Sequence, residues 1–231
     1  MAGPIALSRR IGVWGWLAIV TLLFSGALYL FALTWRPSAS DYQFQGVDIS
    51  DASGTIDWPA VKAAGADFAY IRATGGADVR DTLFEDNWRL AKAADLRAGA
   101  IHDFSLCRLA ADQANNFNTT VPKSDDALPP AVSIDFAPDC DSRPGRDVVL
   151  EELKRFIIMV EAHTERPVIL LVSRRFEAEY SVTKSLDRPV WSAGNFFPPG
   201  YAARPWRMWR ASDMRRIDGV SGPVNWDVVA K

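Results

Sequence analysis

The chain has 231 residues, 48% of them hydrophobic, with 26 basic against 28 acidic side chains, enough for one domain with a sizeable core beside any targeting segment. Residues 41–231 hold all 28 acidic residues and 23 of the basic ones, a formal charge of −5, which argues against nucleic acid as a partner because phosphate neutralisation needs a basic face. Two cysteines and two distant histidines, His102 and His163, lack zinc-like spacing, so no metal or other cofactor is expected.

Ile11 to Trp35 contains no charged residue. At about 1.5 Å per helical residue it spans a hydrocarbon layer of roughly 30 Å. Arg9 and Arg10 precede it, and Trp14, Trp16 and Trp35 lie near its ends as interfacial aromatics do. The expectation is a retained signal anchor over residues 11–35, with residues 1–10 cytoplasmic. A tether over 36–43 would then lead to a domain over 44–231 in the periplasm or outside, on a single-pass inner-membrane protein. The competing reading is a cleaved signal peptide, for which Ser38-Ala39-Ser40 offers small residues. The apolar run exceeds the roughly 7–15 residues of a signal core, which favours the anchor.

From residue 44 onward strands and helices alternate. Phe44 to Ile49 reads as the first strand; Asp57 reads as an N-cap with Pro59 in the first turn of a short helix. Asp67 to Ala73 is the second strand, and Leu83 to Ala94 an amphipathic helix with Phe84, Trp88 and Ala91 on one side. Ala98 to Phe104 is followed by a helix near Leu109 to Asn118, and Ala131 to Phe136 by the longest helix, Val148 to His163. Val168 to Val172 precedes a short helix over Arg175 to Tyr180. Pro189 to Ala193, Arg207 to Ala211 and Val224 to Val228 then read as strands without long helices between them. Repeated βα units predict a parallel sheet closing into a barrel, with functional groups at the C-terminal strand ends. The strand-rich end makes that barrel irregular, a TIM-like α/β fold with fewer than eight helices.

Two strands deliver carboxylates to their C-terminal ends, Asp48 from FQGVDIS and Asp135 from LPPAVSIDF. Paired acids of this kind suit glycoside hydrolysis, where one carboxyl protonates the leaving oxygen and a second group stabilises an oxocarbenium-like transition state. A carboxylate ending a strand also serves as a cap or loop-ordering group. Cys107 and Cys140, an even count in an exported domain, are expected to form a disulfide, with two buried thiols as the alternative.

GVDIS at 46–50, IDW at 56–58, VKAAGADFAYIRAT at 61–74, NWRLAKAADLRAGAIH at 87–102, QANNF at 113–117 and LPPAV at 128–132 occur in that order, followed by RPVIL, WRMWR and GVSGPVNWDVV. This ordered set, covering residues 44–229, resembles the glycoside hydrolase family 25 lysozymes. The resemblance implies an irregular β/α barrel and cleavage of the β-1,4 bond between N-acetylmuramic acid and N-acetylglucosamine, with peptidoglycan glycan strands as partner. It implies Asp48 and Asp135 as catalytic groups, Asp135 donating the proton and Asp48 stabilising or orienting.

The family's D-x-E falls on Ser133 and Asp135, its GPVD acid on Asn225, its W-Q-Y on Trp209-Arg210-Ala211, and the tyrosine of PVIYT on Leu170. The GAYHF tyrosine becomes Ile101, while His102 is kept and Asp103 is gained. His102, Arg72, Trp209, Arg210, Ser133 and Asn225 are accordingly the expected substrate-binding positions, Trp209 as a sugar platform and Arg72 as a group orienting a carboxylate or cross-linking the barrel. The run Arg204, Arg207, Arg210, Arg215 and Arg216 reads as a solvated edge or as a contact for muropeptide carboxylates or lipid headgroups. A shortened acid displaced by about 1 Å costs on the order of 10²-fold in rate. Three readings therefore stand: an anchored muramidase with altered residues, a weakened relative that binds glycan without cutting it, and an envelope assembly protein.

Overall fold

Segments such as FAYIRATG alternate bulky and small residues, so each strand has two unlike faces. The computed structural model describes residues 12–231. The expected cytoplasmic segment 1–10, with Arg9 and Arg10, and the first anchor residue Ile11 lie outside the described residues. The elements are α1 (Val13–Thr34), β1 (Gln45–Ile49), α2 (Trp58–Ala63), β2 (Phe68–Gly75), β3 (Val79–Arg80), α3 (Phe84–Ala93), β4 (Arg97–Asp103) and α4 (Ala110–Thr120). They continue as β5 (Ala131–Ile134), α5 (Arg146–Thr164), β6 (Ile169–Val172), α6 (Arg174–Tyr180), α7 (Val182–Ser185), β7 (Val190–Ala193), β8 (Met208–Arg215) and β9 (Val224–Val229). The Asp57 cap is realised, its carboxylate accepting from Ala60 N at 3.3 Å.

The strands follow one another as β1-β9-β8-β7-β6-β5-β4-β2, and β1 pairs with β2 to close an eight-stranded barrel, leaving β3 as a short hairpin on β2. This is the irregular β/α barrel expected from the sequence. One correction concerns strand direction. Strand β9 runs antiparallel to both β8 and β1, whereas the other barrel pairs are parallel. The link from Arg216 to Pro223 is too short for the dozen or more residues a parallel crossover needs, so the chain turns straight back. The short elements β3 and α7 carried no period strong enough to be read in advance.

Outward residues of the strands, among them Val47, Ile71, Val132, Leu170, Trp209 and Trp226, pack under the helices in the larger core. Inward residues form a second, smaller core that fills the lower lumen: Phe68, Tyr70, Ile101, Ala131, Ile169, Leu171, Trp191 and Met208. Two glycines make room for it. A Cβ at Gly46 would overlap Phe68, and one at Gly99 would overlap the Tyr70 ring. Tyr70 then lies 4.9 Å from Trp191, centroid to centroid, and donates its hydroxyl to Pro129 O at 3.0 Å. The plug closes the lumen between its two ends, separating the polar upper cavity from an apolar hollow beneath Phe68, Tyr70 and Met208.

Trp14–Thr34 is long and apolar enough to cross a membrane, and none of it is buried by the domain. Only its last turn docks on the barrel, through Phe31 stacked on Phe196 at 6.4 Å and Arg216 N donating to Leu33 O at 2.8 Å. Arg215 donates to Thr34 O at 2.9 Å, so a guanidinium meets the negative end of the helix dipole. The arginine run does not form one face. Arg210 points into the lumen, Arg204 bonds Thr183 O at 3.0 Å, and Arg215 covers Trp226 at 4.3 Å.

Cys107 and Cys140 are joined, with their Cα atoms 5.8 Å apart, tying the turn after β4 to the turn after β5 across 33 residues of chain. In the chain-entropy picture such a loop is worth roughly 3–4 kcal/mol. Replacing both cysteines by alanine is expected to lower unfolding stability by about that amount in a denaturant titration. A loss under about 1 kcal/mol would mean that packing alone holds these turns.

Candidate active site

The upper lumen is polar because the inward positions change character at the C-terminal strand ends. A cavity of about 160 Å³ opens there, lined by Asp48 of β1, Arg72 of β2, Asp103 of β4, Ser133 of β5, Arg210 of β8 and Asn225 of β9, among others. Two clusters of side chains face one another across it.

The first cluster is built where the barrel closes. Register places Asp48 opposite Asn225 and Arg210 opposite Asp227. Arg210 reaches Asp48 Oδ2 from Nε at 2.8 Å and from Nη2 at 2.6 Å, and Asn225 Nδ2 donates to Asp48 Oδ1 at 2.8 Å. Beneath them Asp227 is fully buried, accepting from Trp191 Nε1 at 3.0 Å. Burial, and next the charge of Asp48, push the Asp227 carboxyl well above the usual carboxylate range. Among the described residues its Oδ2 has no donor partner. That fits a protonated acid whose hydroxyl bonds to the Asp48 carboxylate.

The second cluster spans β2, β4 and β5. Asp103 and Ser133 are register partners, and Arg72 Nε lies 2.8 Å from Asp103 Oδ2. Burial raises the Asp103 carboxyl, Arg72 and the Ser133 hydroxyl act against the shift, and the charge of Asp48 adds to it. The two ion pairs differ in strength. The side chains of Arg72 and Asp103 are 45% and 35% exposed, and such a pair contributes about 1 kcal/mol or less. Arg210 and Asp48 are 22% and 8% exposed, and removing one partner of a pair so buried costs roughly 3–5 kcal/mol. Asp48 is thus fixed as a paired carboxylate, while Asp103 is free to carry a proton.

Of the positions expected from the sequence, Asp48, Arg72, Ser133, Arg210 and Asn225 meet in this cavity; Asp135, His102 and Trp209 do not. Asp135 lies one residue beyond the end of β5, and its Oδ1 accepts from Ser173 Oγ at 2.6 Å, Phe136 N at 2.8 Å and Arg175 at 3.3 Å. Ser173 caps α6, so the Asp135 carboxylate orders that turn. His102 faces the outer core, bonded to Thr74 Oγ1 at 2.7 Å and Gln113 Oε1 at 3.2 Å and stacked on Phe156 at 4.7 Å. Burial lowers its pKa to about 4. Trp209 is buried on the outer side too, donating to Gly194 O at 2.6 Å among Trp35, Tyr42 and Trp206. Arg72 orients a carboxylate, that of Asp103.

Asp227 and Asp103 are the site residues to which sequence reasoning assigned no role. A period of two would have found both, since Asn225 and Asp227, like Ile101 and Asp103, share the inward face of one strand. Among the described residues no group of three or more His, Cys, Asp or Glu side chains converges as metal ligands would.

The sequence model of Glycosyl hydrolases family 25 matches residues 47–220. The chain is 30% identical over 213 residues to the protein YegX of Escherichia coli, covering 87% of this chain and 77% of that one. It is 27% identical over 195 residues to Lysozyme M1 of Streptomyces globisporus, covering 78% and 66%. Among solved structures, a family 25 glycosyl hydrolase from Bacillus anthracis superposes with a TM-score of 0.76 at 29% identity, covering 81% of this chain and 89% of that one.

The titrations give two expectations. The lowered His102 pKa means that the unfolded chain binds more protons between about pH 6.5 and 4. The stability this histidine contributes is therefore present above about pH 6.5 and lost as pH falls, with a full swing on the order of 3 kcal/mol. Urea midpoints of wild type and His102→Gln should differ less at pH 5 than at pH 7; an unchanged difference would mean that folding leaves the His102 pKa unshifted. Asp227 has the opposite sign. Its raised folded value makes its contribution full at low pH and weaker as pH rises. Asp227→Asn preserves the bonds of the neutral acid, so its stability relative to wild type should grow between pH 4.5 and 7.5. No growth over that range would show Asp227 to be a buried charge.

Proposed function

The chain belongs to Glycosyl hydrolases family 25, and on that premise we propose that it is a membrane-anchored muramidase working with an altered set of carboxylates. Family membership supports a peptidoglycan-hydrolase function. The finer reading is cleavage of the β-1,4 bond after N-acetylmuramic acid, with glycan bound over the cavity at the upper end of the barrel. Asp48 is its stabilising carboxylate, held in one orientation by Arg210 and Asn225. The observation that carries the proposal is this buried, two-point ion pair facing a second, loosely held carboxylate across one cavity. Ser133, Arg72 and Asn225 offer hydroxyl, guanidinium and amide donors for sugar hydroxyl and acetamido groups. Asp135 orders the rim rather than reacting.

The anchor reading assigns α1 to the membrane, residues 1–10 to the cytoplasm, 36–43 to a tether and 44–231 to the barrel in the periplasm or outside. Its support is an apolar helix of membrane length that the domain leaves unburied. The same length and composition suit a signal peptide. The docking of Leu33 and Thr34 on Arg216 and Arg215 favours a segment retained with the folded domain.

A second reading has its own observation. Both cavity carboxylates carry guanidinium partners, as befits a site that holds glycan without cutting it. Purified full-length protein in mild detergent, incubated with isolated peptidoglycan, separates the two. Release of reducing ends by wild type, falling at least 10²-fold in Asp48→Asn with the fold intact by circular dichroism, is expected. Sedimentation with peptidoglycan and no release would leave the binding reading, and neither would remove both.

A further inference from the structure

The family's acid pair on one strand is missing here, and its place at Ser133 holds only a hydroxyl. The neighbouring strand supplies the lost group. Asp103 of β4 is the direct register partner of Ser133, lines the same cavity, and is held by Arg72 Nε at 2.8 Å. Asp135 does not line that cavity, and its Oδ1 accepts from Ser173, Phe136 N and Arg175. We infer that Asp103 is the proton donor of the glycosidase reaction, the acid having moved from β5 to β4 across one strand pair. This inference rests on the muramidase reading above.

The geometry divides the labour between the two cavity acids. Asp48 takes Arg210 through two nitrogens and Asn225 through a third donor, deep in the wall. Asp103 is half-buried, with one guanidinium on one oxygen. Its surroundings push it the way a general acid needs: burial raises its carboxyl, and the fixed charge of Asp48 adds to the effect. As the anomeric C–O bond breaks, the Asp103 proton passes to the leaving sugar oxygen and Asp48 faces the positive charge growing on the ring. Water then closes on the anomeric carbon, and the proton it loses returns to the Asp103 carboxylate. Bonds and protons balance with water as the only co-reactant. Arg72 is a positioning residue, orienting the acid and limiting how far its proton affinity rises.

A proton donor differs from a structural carboxylate in what its loss does to different leaving groups. Full-length Asp103→Asn, in detergent, is to be compared with wild type on peptidoglycan and on the 2,4-dinitrophenyl β-glycoside of N-acetylmuramic acid, whose leaving group needs no proton. The expected result is a loss of at least 10²-fold in kcat on peptidoglycan and less than about 10-fold on the aryl glycoside. Equal losses on both substrates, or activity within about threefold of wild type on peptidoglycan, would overturn the assignment while leaving the muramidase reading intact. Wild type inactive on both would overturn the two together. Arg72→Gln provides a measurement independent of how Asp103→Asn folds. With its cation gone, the alkaline limb of kcat/KM should move to higher pH, and an unmoved limb counts against Asp103 as the titrating acid.

Discussion

A carboxylate drawn into a protein wall must be paired, and that requirement shapes the whole upper half of this barrel. Asp48 sits on the strand where the sheet closes on itself, and its partners come from the strands that complete the closure. Asn225 lies opposite it on β9, and Arg210 is one strand further on. Closing the barrel and satisfying Asp48 are consequently one event. A shift of one residue in β9 would turn Asn225 and Asp227 outward and send Trp226 into the lumen, costing Asp48 its amide donor and the outer core its indole. The antiparallel direction of β9 supports this arrangement, since a direct return from β8 presents Asp227 opposite Arg210 with no helix between.

Below that charged layer the lumen is solid. Gly46 and Gly99 admit the rings of Phe68 and Tyr70, and Trp191 completes the plug while donating upward to Asp227. Trp191 thus belongs to both layers. Its indole also lies under the Arg210 guanidinium, 5.7 Å from ring centroid to Cζ. The apolar floor favours the neutral form of Asp227, and above it Asp48 holds Arg210. The charged layer at the rim rests on packing at the base through these links. Neither position 133 nor position 225 needs an acid for this closure, because Asn225 donates to Asp48 and Ser133 faces Asp103.

The N-terminal helix adds a constraint of its own. Its final turn meets the segment after β7 through Phe196 and the end of β8 through Arg215 and Arg216, both at the C-terminal ends of parallel strands. The helix therefore leaves the barrel from the end at which the cavity opens.

Much of this was legible in the chain itself. Alternation in FAYIRATG and MWRASDMR, the Asp57 cap and the Phe84–Trp88–Ala91 stripe predict the strands and helices because backbone period and capping are local matters. The ordered motifs from GVDIS to GVSGPVNWDVV predict the barrel family, and an even cysteine count predicts the bridge that forms. The place of Asp48 at the C-terminal end of an inward-facing strand was legible from the same alternation. What the sequence left open were contacts between distant segments. It could not show that β5 ends at Ile134, which puts the Asp135 carboxylate on Ser173 and Arg175 instead of in the lumen. Nor could it show that His102 faces the outer core while Asp103, the next residue, faces the cavity. Periodicity by itself determined which residues share a face; which face is inside, and which charges meet there, was decided only when the sheet closed, because pairing between β1 and β9 joins residues nearly the whole domain apart.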